Sequence, residues 1–199
     1  MTKWAPAKRD VLDALATEIL HNYGRGRAIV AIDGDVAAES GAFADDLATS
    51  LRAAGHAAFA AHLDGFQRPS SEQTRHPATP DEHDYHHRYD YDTLRRVLID
   101  PFKMGGSTGF VLAAFDAHRD APIEPKWTTA PRDALLLVDG PFALRPELRG
   151  AWNNTIRLDS GEPAHNAAYR AAFDVRANAT ILVDNRDPEH PRRLFADAC

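Results

Sequence analysis

Apolar residues recur at helical spacing at Val11, Leu12, Leu15, Ile19 and Leu20, and the run stops near Gly24, a residue that ends helices readily. This predicts a first helix over residues 11–20. Residues 27–33 form a nearly continuous apolar run with β-branched Ile29, Val30 and Ile32, as expected of a parallel strand covered on both faces. Helical spacing returns over residues 42–54, with Phe43, Leu47 and Leu51 on one face. Residues 56–63 read as a second strand that ends in Asp64-Gly65-Phe66. The pattern then breaks. Residues 67–88 are polar, contain Pro69, Pro77 and Pro80, and are too long for an ordinary connection, so they are expected to lie over a binding cleft.

Helical spacing resumes over residues 91–99 and gives way to Gly105-Gly-Ser-Thr-Gly109. Residues 110–115 and 121–127 flank a polar turn and predict a small two-stranded excursion. Residues 134–140 are the clearest buried strand, closing on Asp139-Gly140. Two short strands follow at 155–158 and 180–183, with a helical pattern between them over 162–173. Strands alternating with helices predict one α/β domain over 1–199, built on an open, mostly parallel, five-stranded sheet. Residues 67–130 form its insertion of cleft-covering loop, helix and hairpin.

Composition narrows the function. With 44% hydrophobic and 26% charged residues in 199, the chain fits a single core. A net charge of -6 offers no basic footprint for a nucleic acid polymer or an anionic membrane. A small molecule or a protein is the expected partner. The single cysteine, Cys199, provides no disulfide framework and no thiolate zinc site. No segment has the apolar run of a signal peptide or a membrane span, and the expected setting is the cytoplasm. A homodimer is compatible with this size, although no sequence feature decides it.

The strand, loop and helix around Asp33-Gly34 have the layout of a phosphate-binding loop. Such a loop needs Gly-x-x-x-x-Gly-Lys-Ser/Thr, so that bare amides surround phosphate, a lysine neutralises it and a hydroxyl holds magnesium. Counting from Gly34, the second glycine slot holds Glu39, the lysine slot holds Ser40 and the hydroxyl slot holds Gly41. A strand-to-helix turn kept for packing is the competing reading of residues 34–41.

Several segments in order resemble the uridine kinase-like branch of P-loop nucleoside and small-metabolite kinases. They are Ala31-Ile-Asp-Gly34, Phe43-Ala-Asp-Asp-Leu47, Asp64-Gly-Phe-Gln-Arg-Pro69, Tyr89-Asp-Tyr-Asp-Thr-Leu94, Thr129-Ala-Pro131, Leu136-Leu-Val-Asp-Gly-Pro-Phe142, Leu144-Arg-Pro-Glu-Leu148 and Val183-Asp-Asn185. The resemblance implies a P-loop NTPase-like three-layer sandwich. It implies that Asp64 binds or deprotonates an acceptor hydroxyl, that Asp139 supports magnesium, and that Phe66, Arg68 and Tyr89 line the nucleoside side. It also implies an arginine-bearing lid where this chain has only the short segment 160–168.

Loss of a close charge partner costs about 2 to 5 kcal/mol, and each 1.4 kcal/mol is about a factor of ten. Phosphoryl transfer relies on positioning and charge stabilisation, so a loop with Glu39, Ser40 and Gly41 is expected to have lost most of it. The resulting expectation is a pseudo-kinase that binds a nucleoside-, nucleotide- or sugar-phosphate-like ligand, with no cofactor assigned. One alternative is an active kinase in which Arg68, Arg75, Lys126 or Arg132 supplies the missing charge; it would use ATP and magnesium. Another is a different reaction on a nucleotide-like compound, using Asp64 with the cluster His83 to His87.

His83 and His87 would share a face if helical, and they are candidate ligand contacts. No metal site is assigned to them, because histidine-rich polar runs are usually solvated and nothing fixes a second shell. Asp64 and Asp139 also have structural readings, as a turn or cap acid and as a strand-end acid. Ser40 lacks the Gly-x-Ser-x-Gly elbow of a nucleophile. Trp127, Trp152 and Phe142 are read as packing groups.

Overall fold

The computed structural model describes residues 7–34, 39–75, 77–161 and 166–195. In chain order it contains α1 (Lys8–Tyr23), β1 (Ala28–Asp33), α2 (Ser40–Ala53) and β2 (Ala58–His62), then a 3-10 turn at Leu63–Phe66. Next come α3 (Ser70–Gln73), α4 (Pro80–His87) and α5 (Tyr91–Leu94), which runs through a π-helical turn at Arg95–Ile99 into α6 (Asp100–Met104). The excursion follows as β3 (Phe110–Val111), β4 (Phe115–Asp116), β5 (Ala121–Pro122) and β6 (Trp127–Thr128). The chain ends with β7 (Leu135–Gly140), β8 (Asn154–Asp159), α7 (Ala167–Ala172), α8 (Val175–Asn178), β9 (Ile181–Asp184) and β10 (Arg192–Leu194).

The central sheet has six strands in the order β10-β9-β8-β1-β7-β2. Five are parallel; β10 is antiparallel on the edge. The predicted sheet is thus one strand short. β10 reads Arg192-Arg193-Leu194, so it carries no apolar period to signal a strand, and charged side chains are common on exposed sheet edges.

Alternation along the central strands builds a core on each face. Val30 and Ile32 of β1 and Leu135 and Leu137 of β7 pack with Leu15, Ile19, Phe43, Leu47 and Leu51 of α1 and α2. Ile29, Ala31, Leu136 and Val138 face the other way, onto Leu94, Leu98, Phe102 and Phe110. Each such large side chain contributes about 1.5 to 3 kcal/mol when buried, which is why the sequence signal is strongest in these strands.

The predicted loop over residues 67–88 contains two helices. α4 begins with a capping box in which Thr79 and Glu82 satisfy each other's backbone amides, and Pro80 sits in its first turn. That start signal was present in the sequence as Thr79-Pro80-Asp81-Glu82. Tyr85 is the buried residue of the helix, so no apolar period accompanied the signal.

The hairpin forms as predicted in outline, with β3 on β6 and β4 on β5. Asp120 at its tip accepts hydrogen bonds from the Ser70 amide at 2.9 Å and hydroxyl at 2.5 Å. Its base is held by Arg27, which donates to the carbonyls of Phe102, Gly106, Ala130 and Pro131 just ahead of β1. Trp127 is 63% exposed, a correction to its reading as a packing group. Among the described residues, no helix is long and apolar enough to cross a membrane.

Candidate functional site

The parallel strands end on polar side chains: Asp33 on β1, His62 on β2, Asp139 in the last residues of β7, Asp159 on β8 and Asp184 on β9. The register sets His62 beside Asp139. This is the edge where open α/β sheets bind ligands.

Asp139 is the buried centre of the site, its side chain 4% exposed. Ser40, the first residue of α2, donates its hydroxyl to Asp139 Oδ2 at 3.1 Å. His62 Nδ1 lies 2.5 Å from Asp139 Oδ1. Its Nε2 faces Asp45 Oδ1 at 3.8 Å. The bond to Asp139 pushes the His62 pKa above its ordinary 6.5, against the opposing effect of burial, and the charges of Asp139, Asp45 and Asp64 add to the rise. A buried carboxylate without partners would be costly; here each oxygen has one.

Asp64 stands one turn away, on the 3-10 turn that follows β2. Its Oδ1 accepts from Gln67 Nε2 at 2.7 Å, the Tyr89 hydroxyl at 3.1 Å and Arg88 Nη2 at 3.4 Å. Arg88 also donates to Asp84 at 3.0 Å, across one turn at the end of α4. Glu39, Ser40, Gly41, Asp64 and Asp139 line one cleft of about 210 Å³, together with His62 and Arg88. Gly34 is buried at the end of β1, and residues 35–38 lie outside the described residues.

The other candidates lie elsewhere. Phe66 is 1% exposed and packs in the core. Tyr89 is equally buried, and its hydroxyl reaches the cleft acid Asp64. Arg68 lines a separate hollow of about 340 Å³ with Glu72 and Phe115, and its Nε donates to the Tyr89 carbonyl. His83 Nδ1 lies 2.8 Å from the Gln73 carbonyl, and its ring meets that of His87 at 5.8 Å. Neither histidine lines the cleft.

Sequence reasoning passed over His62 and Arg88. His62 carried a positional signal, the last polar residue of a strand two places before Asp64. Arg88 follows Asp84 by four residues, a signal legible once residues 80–87 are recognised as a helix. Asp33 was also missed as a hub. Fully buried, it accepts from the Tyr169 hydroxyl at 2.8 Å and the Leu144 amide at 3.0 Å, and it pairs with Arg157.

Glu39 has φ 48° and ψ 44°, the left-handed conformation that glycine adopts freely. The second-glycine slot therefore keeps a glycine's backbone under a different side chain. Magnesium demands near-octahedral oxygen ligation, and P-loop proteins offer it a hydroxyl and a strand-end acid. Ser40 and Asp139 are such a pair, so a hydroxyl reaches the acid from the residue before the slot assigned to it. The set as a whole does not fit the ion, because a ring nitrogen of His62 takes the remaining Asp139 oxygen.

No family model matches the chain, and no curated protein matches it. Solved structures do. A Bacillus stearothermophilus protein described as a possible uridine kinase superposes with a TM-score of 0.77 at 22% identity, over 88% of this chain and 98% of that one. A Silicibacter sp. TM1040 protein described as a "putative fructose transport system kinase" gives a TM-score of 0.59 at 23% identity, over 74% of each chain. The chain shares the fold of these two structures.

Proposed function

We propose that this chain is a uridine kinase-like protein that has lost ATP-dependent phosphoryl transfer and retains the acceptor side of the cleft, where it binds the hydroxyl groups of a nucleoside- or sugar-phosphate-like ligand. The observation that carries this reading is the charge of the cleft. Glu39 and Asp64 line it with the buried Asp139, whose oxygens are taken by Ser40 and His62, and Arg88, the arginine among its lining residues, is already engaged by Asp64 and Asp84. A carboxylate about 4 Å from a phosphate oxygen costs about 4 kcal/mol at an effective dielectric constant of 20, close to three orders of magnitude in affinity. Hydroxyl groups meet the opposite situation, since exposed carboxylate oxygens accept hydrogen bonds from them.

Asp64 supports the acceptor assignment. It is 62% exposed and held by Gln67, Tyr89 and Arg88, so its direction is fixed while part of it remains open. The two solved structures are described after a nucleoside and a sugar kinase, which favours a small polyhydroxylated compound. Arg75, Lys126 and Arg132 do not line the cleft, and this weighs against an active kinase that borrows their charge.

The test is a thermal-shift screen of nucleosides, sugars and their monophosphates, run in EDTA. A ligand at about 100 times its Kd stabilises the folded chain by about 2.7 kcal/mol. At least one compound is expected to raise Tm, and Asp64→Asn is expected to remove most of that rise. Unchanged binding by Asp64→Asn for every compound that shifts Tm would refute the cleft assignment.

A further inference from the structure

We infer that His62 bars divalent cations from the cleft: its imidazole occupies the carboxylate oxygen and the space that a cation and its hydroxyl ligand need, so ligands bind here without metal. The inference deepens the reading of the cleft as one that no longer handles triphosphate, and it rests on that reading for its setting.

Three observations support it. First, both oxygens of Asp139 are committed, one to the Ser40 hydroxyl at 3.1 Å and the other to His62 Nδ1 at 2.5 Å. A cation can bind Asp139 only by displacing one of them. Second, the imidazole lies against Gly41. A Cβ on Gly41 would stand 3.6 Å from His62 Nδ1, 3.8 Å from His62 Cε1 and 3.6 Å from Asp139 Oδ2. A hydroxyl-bearing side chain at Gly41 would reach into the gap where the ring meets Asp139, so the lost hydroxyl and the imidazole share one space. Third, three carboxylates converge on the ring: Asp139 in contact, Asp45 at 3.8 Å from Nε2, and Asp64 on the same cleft wall. Among the described residues no group of three or more acids and histidines is placed to hold a metal ion together, and the ring of His62 stands between Asp139 and Asp45.

It follows that His62→Ala converts the cleft into a cation site. Asp139 Oδ1 is freed, Ser40 still offers its hydroxyl, and the opened space admits the water that completes octahedral ligation. His62 has a half-exposed side chain, so the truncation leaves no large buried cavity.

The probe is Mn²⁺ alone, followed by the paramagnetic resonance signal of the free ion, on the full chain and without nucleotide. The wild type is expected to show no saturable site up to about 1 mM Mn²⁺, and His62→Ala one site at least about tenfold tighter. His62→Ala with Asp139→Asn is expected to lose that site again. A wild-type chain that saturates with one Mn²⁺ as tightly as His62→Ala overturns the inference. So does a folded His62→Ala that gains no site. Should His62→Ala fail to melt cooperatively, His62→Ser takes its place, and the wild-type titration decides independently. Because no nucleotide or sugar is present, this outcome is separate from the ligand screen in EDTA, and either can fail alone.

Discussion

Glu39 is held in a backbone conformation that costs a side-chain-bearing residue about 1 to 2 kcal/mol and costs glycine nothing. It makes no side-chain capping bond to α2, so no cap repays that cost. Glu39→Gly is expected to stabilise the fold by about 0.5 to 1 kcal/mol net, because the gain from relieved strain is offset in part by the greater freedom of an unfolded glycine. Urea unfolding reads this as a higher midpoint at unchanged slope; a lower midpoint would contradict the account of the loop. At this scale the sequence was informative about identity and silent about geometry. Counting from Gly34 found Glu39, Ser40 and Gly41 in their slots. The bond from Ser40 to Asp139 depends on where α2 starts relative to β7, 99 residues later, and no local pattern encodes that.

Hydrogen bonds to α4 and to the end of β1 build α7 into the fold. Asn166 donates to the Asp81 carbonyl at 2.7 Å, and the Ala167 amide donates to the Asp81 carboxylate at 2.8 Å, which joins α7 to α4. Tyr169 of α7 reaches the buried Asp33 at the end of β1. Tyr169→Phe leaves that carboxylate short of one donor and is expected to cost roughly 1.5 to 3 kcal/mol, the range for hydrogen bonds to charged groups. Chemical denaturation measures it, and unchanged stability would show that α7 is held by its apolar contacts alone. Elements were legible where an apolar period ran through them, as in β1, α2 and β7. α4 was missed because its signal is a cap rather than a period, and β10 because its residues are charged. α7 begins at Ala167, inside the predicted helix over 162–173, whose residues 162–165 lie outside the described residues. The predicted helix over 91–99 continues to Met104 because the π-helical turn lets the Asp100 amide bond to Arg95, just ahead of Pro101, which has no amide hydrogen to place.

For the whole molecule, the fold places its strand-end acids along one edge of the sheet, and the chain carries a net charge of -6. Asp33, Asp159 and Asp184 are already paired with Arg157, Arg176 and Arg186, so the proposed bar to triphosphate rests on the cleft acids Glu39 and Asp64. The resemblance read from ordered segments is matched by the superposition on the Bacillus stearothermophilus structure over 88% of the chain, so the fold was legible almost throughout. The site was legible in part. Asp64 and Asp139, picked out by the resemblance, line one cleft with His62 and Arg88, and the last two became recognisable only once β2, β7 and α4 were placed together.

Calorimetric titration of the full chain with magnesium-ATP tests the central claim most directly. The account predicts no saturable heat up to about 1 mM, an affinity weaker than about -4 kcal/mol. Saturable one-to-one binding with a micromolar Kd, strengthened by magnesium, would contradict it.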